Sequence, residues 1–165
     1  FFGDQADKFR FAHLQEALTF VPFGVAVDEF QHICYAHPEL TPRERTYQWR
    51  LLEEKYMPWR RYEDDAFMER GGYWYHKLHI YLYPFYYINY TLTTMGAMEF
   101  KKKYAENKEA AWQDYLRLCR TGGSRSYLET LRYADLANPF EEGSVQRACG
   151  YAEEILLQQI AAQER

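Results

Sequence analysis

No stretch of this 165-residue chain comes near the run of about 18 apolar residues that a membrane-spanning helix needs. No basic segment followed by an apolar stretch and a cleavage site opens it either, so neither a span nor a secretory leader is expected. Cysteine is scarce: Cys34, Cys119 and Cys149 are odd in number, widely spaced and without a C-x-x-C pair. That pattern argues against a disulfide framework or a cysteine-based zinc knuckle, and it predicts a reducing, cytoplasmic compartment. Positive charge is in deficit. With 20 Lys+Arg against 24 Asp+Glu and a net charge of -4, the chain lacks the long-range attraction that supports non-specific nucleic-acid binding. An initiator methionine is missing from the start, Phe1-Phe2-Gly3, which fits a processed chain or a piece of a longer one.

Aromatic residues are what the sequence has in excess: 19% of the chain, with 16 tyrosines. Tyrosine joins a large apolar ring to a polar hydroxyl, so it suits interfaces and cleft walls as well as cores. Strand patterns are few and helix punctuation is abundant. Phe11, Leu14, Leu18 and Val21 recur at helical spacing from Asp7 onward, Pro22 is expected to kink or interrupt that helix, and the pattern resumes from Val25 to about Cys34. Thr41-Pro42-Arg43-Glu44 combines a cap, a first-turn proline and a capping box, predicting a helix to about Tyr56. The stretch 58–72 reads as loop with one short helix.

A helical run is predicted over 73–83, with Pro84 opening or kinking another that reaches about Asn107. Gly122-Gly123 stops a helix that begins near Glu109, and Ser126-x-x-Glu129 starts the next. Ser144 is expected to cap a final helix running to the C-terminus. The expectation is an all-α fold, with residues 1–165 forming a single helical region.

Two histidine patterns invite a metal reading. Asp28-Glu29-Phe30-Gln31-His32 is one residue short of H-E-x-x-H, and on a helix Asp28 and His32 would share a face. A metal there needs a third ligand that nothing nearby at helical spacing supplies, whereas a salt-bridged helix face needs nothing more. His76 and His79 form H-x-x-H among aromatics, where packed or hydrogen-bonded histidines are the commoner outcome. Gly122-Gly123-Ser124 reads as a helix stop rather than an anion cradle, and Asn89-Tyr90-Thr91 matches a glycosylation sequon without significance inside a helix. The segment from His79 to Phe100 is the most informative. Tyr83, Tyr87, Tyr90 and Thr94 fall at steps of four, three and four, while Phe85, Ile88, Leu92 and Met95 fall opposite and read as core. The tyrosine row either packs on a neighbouring helix or lines a polar ligand cleft.

Read in order, "HLQEALTFVPFGVAVDEFQHICY", "TPRERTYQWRLLEEKYMP", "LHIYLYPFYYINY", "MGAMEF" and "TGGSRS" resemble the C-terminal part of the oligoendopeptidase F family, among the thimet-oligopeptidase-like zinc metallopeptidases. The resemblance runs from about Phe11 to the end of the chain. It implies a helical, zincin-like peptidase that cuts oligopeptides with one zinc held by H-E-x-x-H and a downstream glutamate. This chain contains no H-E-x-x-H, so the resemblance implies zinc in the parent enzyme with its ligands upstream, no metal ligands here, and an inactive fragment when isolated. Asp28-x-x-x-His32 then becomes a family marker rather than a zinc site.

By position, the resemblance assigns His79, Tyr87 and Tyr90 to catalysis, as donors to the tetrahedral intermediate, and Tyr83 and Tyr86 to substrate binding. Leu82-Tyr83 departs from the acidic-apolar pair expected there. The implied partners are an oligopeptide substrate and the missing N-terminal part of the protein, with self-association through exposed apolar surface. The alternative is a non-catalytic helical module whose tyrosine face binds peptides.

Overall fold

The computed structural model describes residues 1–163, with the side chain of Gln163 excluded. Among the described residues there are eight α-helices, two short 3-10 turns and no strand, so the fold is all-α. The helices are α1 (Ala6–Ala36), α2 (Pro42–Tyr56), α3 (Ala66–Glu69), α4 (Leu78–Leu82), α5 (Ile88–Glu106), α6 (Lys108–Thr121), α7 (Tyr127–Tyr133) and α8 (Ser144–Gln163). No helix is long and apolar enough to cross a membrane. The chain divides into two compact units, one made of 1–18 and 92–165 and the other of 19–91, with the boundaries inside α1 and α5.

The unit 19–91 is built on an aromatic core. Phe23, Ala26, Val27 and Phe30 from α1 pack with Trp49 and Leu52 from α2, with Met57, and with Trp74 and Tyr87. Phe30 meets Trp49 edge-on at 5.3 Å, and Phe23 meets Trp49 at 6.1 Å. Such edge-to-face pairs add a specific geometry to the burial that drives the packing. This packing explains why, of the two expectations for Pro22, interruption does not occur: the helix is continuous with Pro22 inside it. A helical proline loses one backbone hydrogen bond and crowds the preceding turn. Val21, Phe23, Ala26, Val27 and Phe30 are all buried around it, and that burial outweighs the loss.

One turn further on, α1 brings Gly24 against Thr91. A Cβ at Gly24 would lie 1.8 Å from Thr91 Oγ1, so only glycine permits this approach. The start of α2 is as the sequence predicts: Thr41 Oγ1 accepts from the Glu44 amide at 3.3 Å, and the Glu44 carboxylate accepts from the Thr41 amide at 2.8 Å. On the buried side of α2, Glu53 is enclosed and fully engaged. It accepts from Trp49 Nε1 at 2.8 Å and the Tyr62 hydroxyl at 2.5 Å on one oxygen, and from Arg50 at 3.3 Å on the other.

In the unit 1–18 and 92–165, Leu131, Ala134 and Leu136 form a small core with Phe100 and Leu118. Lys103 Nζ clamps Asp114 and Asp135, 2.6 Å from each carboxylate. Helix α6 ends at Gly122 in the left-handed conformation, as the Gly-Gly stop predicts. Ser144 departs from expectation. It is the first residue of α8, and its hydroxyl donates to the Pro139 carbonyl at 2.6 Å, so it pins the preceding turn instead of capping the helix.

Candidate functional site

The segment 72–91 is less regular than its spacing predicts. A 3-10 turn over Gly72–His76 is followed by the five-residue α4, and α5 starts only at Ile88, four residues after Pro84. The residues between α4 and α5 form a turn in which Phe85 adopts a left-handed backbone, φ 59°. Its amide donates to Gln31 Oε1 at 3.3 Å, and its ring lies against His32 and Tyr35 at 4.8 and 5.0 Å. Phe85 is therefore exposed rather than core, which corrects the helical-wheel reading of that position. A proline after α4 ends one helix here and does not begin the next, because the turn is held from α1.

That turn folds the tyrosines back over α4. The His79 ring stands edge-on to Tyr87 at 5.2 Å and to Tyr90 at 5.6 Å, and lies 5.9 Å from Tyr83. Tyr86 joins the group through Tyr90 at 5.5 Å and Tyr83 at 6.3 Å. All five residues named from the sequence thus meet, although not as one helix face: His79 is on α4, Tyr90 on α5, and Tyr83, Tyr86 and Tyr87 lie on the turn between them. His79 Nε2 and the Tyr90 hydroxyl are 3.4 Å apart. That separation is at the long end of the hydrogen-bond range, so the contact is a loose one.

Burial separates the tyrosines. Tyr87 is 7% exposed and its ring belongs to the aromatic core, edge-on to Phe23 at 5.9 Å, whereas Tyr90 is 38% and Tyr86 48% exposed. Burial pushes the Tyr87 phenol above the usual range, with Tyr73 and Tyr90 adding to the effect. Loss of solvent, followed by neighbouring Tyr86 and Tyr83, does the same for Tyr90. Both phenols are therefore held in the protonated O–H form at neutral pH.

The histidine patterns resolve differently. Asp28 Oδ2 and His32 Nε2 are 3.5 Å apart and pair with each other, while Glu29 turns to Lys55 at 2.9 Å and to the Tyr56 hydroxyl. His76 ends the 3-10 turn with its ring edge-on to Tyr73 at 4.2 Å, so it does not share a helix with His79. Among the described residues no three His, Cys, Asp or Glu side chains are grouped to hold a metal. Sequence reading missed the Gln31–Phe85 link and the buried Glu53, because neither a left-handed phenylalanine nor a buried carboxylate on a charged helix has a local signature.

No family profile and no curated protein match the chain. Solved structures do. A crystal structure named as an oligoendopeptidase F is 51% identical with a TM-score of 0.89, and the match takes in 94% of this chain and 28% of that one. The structure of PZ peptidase A with an inhibitor is 49% identical with a TM-score of 0.91, covering 96% of this chain and 28% of its own. A crystal structure named as an oligoendopeptidase F from Bacillus anthracis strain Ames is 41% identical with a TM-score of 0.76, covering 96% and 25%. The chain spans about a quarter of the length of these relatives, and at such identity over nearly all its residues it belongs to the oligoendopeptidase F family.

Proposed function

We propose that this chain is the C-terminal part of a zinc-dependent oligoendopeptidase that hydrolyses short peptides, and that it supplies donors to the reacting carbonyl. The observation that carries the reading is the convergence of His79 Nε2 and the Tyr90 hydroxyl at 3.4 Å on a partly exposed surface, in a chain 41–51% identical to peptidases. His79 and Tyr90 present N–H and O–H groups to the oxygen of a peptide carbonyl under attack. Donors fixed in advance act more strongly on the charge that develops in the tetrahedral intermediate than on the neutral substrate, and that difference accelerates the reaction. Tyr87, locked in the core, orients the His79 ring by its edge-on contact. Tyr83 and Tyr86 are exposed beside Tyr90 and hold the peptide.

Zinc belongs to the proposal only through the family. The residues of this chain do not fit it: Asp28 and His32 satisfy each other, Glu29 faces Lys55, and H-E-x-x-H is absent. In this reading the metal ligands lie in a part of the enzyme outside this chain, and the isolated chain is inactive. The test is to assay the isolated chain with added zinc and a quenched-fluorescent peptide beside the full-length enzyme. The expected result is turnover by the full-length enzyme alone; chelator-sensitive turnover by the isolated chain would overturn the placement of the metal.

A further inference from the structure

In the unit 19–91, two cations and a histidine converge on one pair of rings. The Arg60 guanidinium lies 4.4 Å from the Tyr73 centroid and 5.4 Å from that of Phe23. Lys77 Nζ lies 4.7 Å from the Phe23 centroid and 5.7 Å from that of Tyr73, and His76 is edge-on to Tyr73 at 4.2 Å. The group is short of negative charge. Lys77 makes no ion pair among the described residues, and the charge that acts on it is that of Arg60. Arg60 reaches one carboxylate, Glu53, at 3.8 Å, but the Glu53 oxygens already accept from Trp49, Tyr62 and Arg50. The Arg60 atom that faces Glu53 is the buried Nη1, which stands beyond hydrogen-bond distance of it.

Arg60 and Lys77 are half-buried, and like charges held together where solvent screening is reduced are unfavourable without an anion beside them. The aromatic faces offset part of that cost, yet they satisfy none of the Lys77 N–H donors. Burial and the Arg60 charge hold Lys77 below the ordinary lysine range, and burial, Lys77 and Arg60 hold His76 low, a direction that a seated anion would reverse. The place is close to the candidate site. Phe23 touches Tyr87, and Tyr87 touches His79, so the cations stand two ring contacts from His79. A few residues of extended peptide, at roughly 3.3–3.6 Å each, span such a gap.

We propose that Arg60, His76 and Lys77 form a carboxylate-binding subsite that fixes an anionic group of the peptide held at His79 and Tyr90. This rests on the peptidase reading above. The carboxylate is either the peptide C-terminus or an Asp or Glu side chain; both present the same planar pair of oxygens to Arg60 and Lys77.

The experiment uses the full-length enzyme and one peptide in three forms: with a free C-terminus and an internal Glu, with the C-terminus amidated, and with that Glu replaced by Gln. Turnover gives KM, and binding to the metal-depleted enzyme gives Kd. Lys77→Met is expected to raise KM and Kd about tenfold for peptides that keep the recognised carboxylate and to leave the peptide without it unchanged, with Lys77→Arg restoring the discrimination. Discrimination that follows amidation assigns the C-terminus, and discrimination that follows Gln assigns the side chain. Equal effects on all three peptides, no effect, or a fall in Tm without peptide dependence would overturn the subsite; the last would mean that the remainder of the enzyme supplies the carboxylate. If the unaltered enzyme cleaves none of the peptides, the peptidase reading fails instead, and the Kd comparison still decides the subsite.

Discussion

Tyr90 and His79 meet hydroxyl to imidazole, 3.4 Å apart, although they belong to different helices and are separated by eleven positions in sequence. The turn after α4 makes this meeting possible. It reverses the chain at Phe85, and α1 holds it there through Gln31. The candidate site is therefore attached to the aromatic core, since Tyr87 belongs to both.

The close approach of α1 to Thr91 gives a stability prediction. Gly24→Ala should destabilise the full-length enzyme by about 1–3 kcal/mol, because the new methyl collides with Thr91 Oγ1. The Thr91 hydroxyl is buried without a hydrogen-bond partner, so Thr91→Ala should cost little alone and recover part of the loss when combined with Gly24→Ala. Chemical denaturation of the four proteins in this cycle checks the coupling. Strict additivity would count against the collision.

Glu53 should be among the most sensitive positions in α2. Its removal leaves the Trp49, Tyr62 and Arg50 donors without their shared acceptor, so Glu53→Ala is expected to cost about 3–5 kcal/mol. An effect within about 0.5 kcal/mol, typical of an exposed surface residue, would contradict its enclosure.

Alkaline pH should weaken the fold through Tyr62. Burial, then its hydrogen bond to Glu53, raises the phenol above its ordinary pKa of about 10. A raised folded-state pKa means that the native form holds its proton where the unfolded form has lost it. The contribution is therefore intact below about pH 10 and lost as pH climbs beyond it. Denaturation midpoints across pH 8 to 11 should show this decline, and Tyr62→Phe should make it shallower; an unaltered slope would remove Tyr62 from the account.

The Thr41 capping box offers a smaller, local check. Thr41→Ala should destabilise by about 1 kcal/mol, since it removes the acceptor for the Glu44 amide. A loss near zero in the denaturation midpoint would show that water replaces the cap without cost.

Local signals were readable from the sequence where the chemistry is local. Thr41-Pro42-x-Glu44, Ser126-x-x-Glu129 and Gly122 act within one helical turn, and the structure uses each as its residue types imply. Pro22 does not interrupt α1 because the burial of Val21, Phe23, Ala26, Val27 and Phe30 is a tertiary effect that no window around the proline contains. The steps of four, three and four from Tyr83 to Thr94 located a cluster that does form, but by a different geometry, since the turn at Phe85 replaces the expected helix. That turn is illegible because its left-handed residue is phenylalanine, where glycine or asparagine would have marked it. Glu53 was illegible for the opposite reason: on a charged amphipathic helix a glutamate reads as solvated until its three donors are seen.

The central claim is that Tyr90 and His79 act on the transition state rather than on metal binding, and Tyr90→Phe in the full-length enzyme tests it most directly. Steady-state kinetics with a short peptide, together with the zinc content of the same preparation, separate the two roles. The account predicts that kcat falls about a hundredfold or more while bound zinc is unchanged. An unchanged kcat, or a loss of activity that tracks loss of zinc, would contradict it.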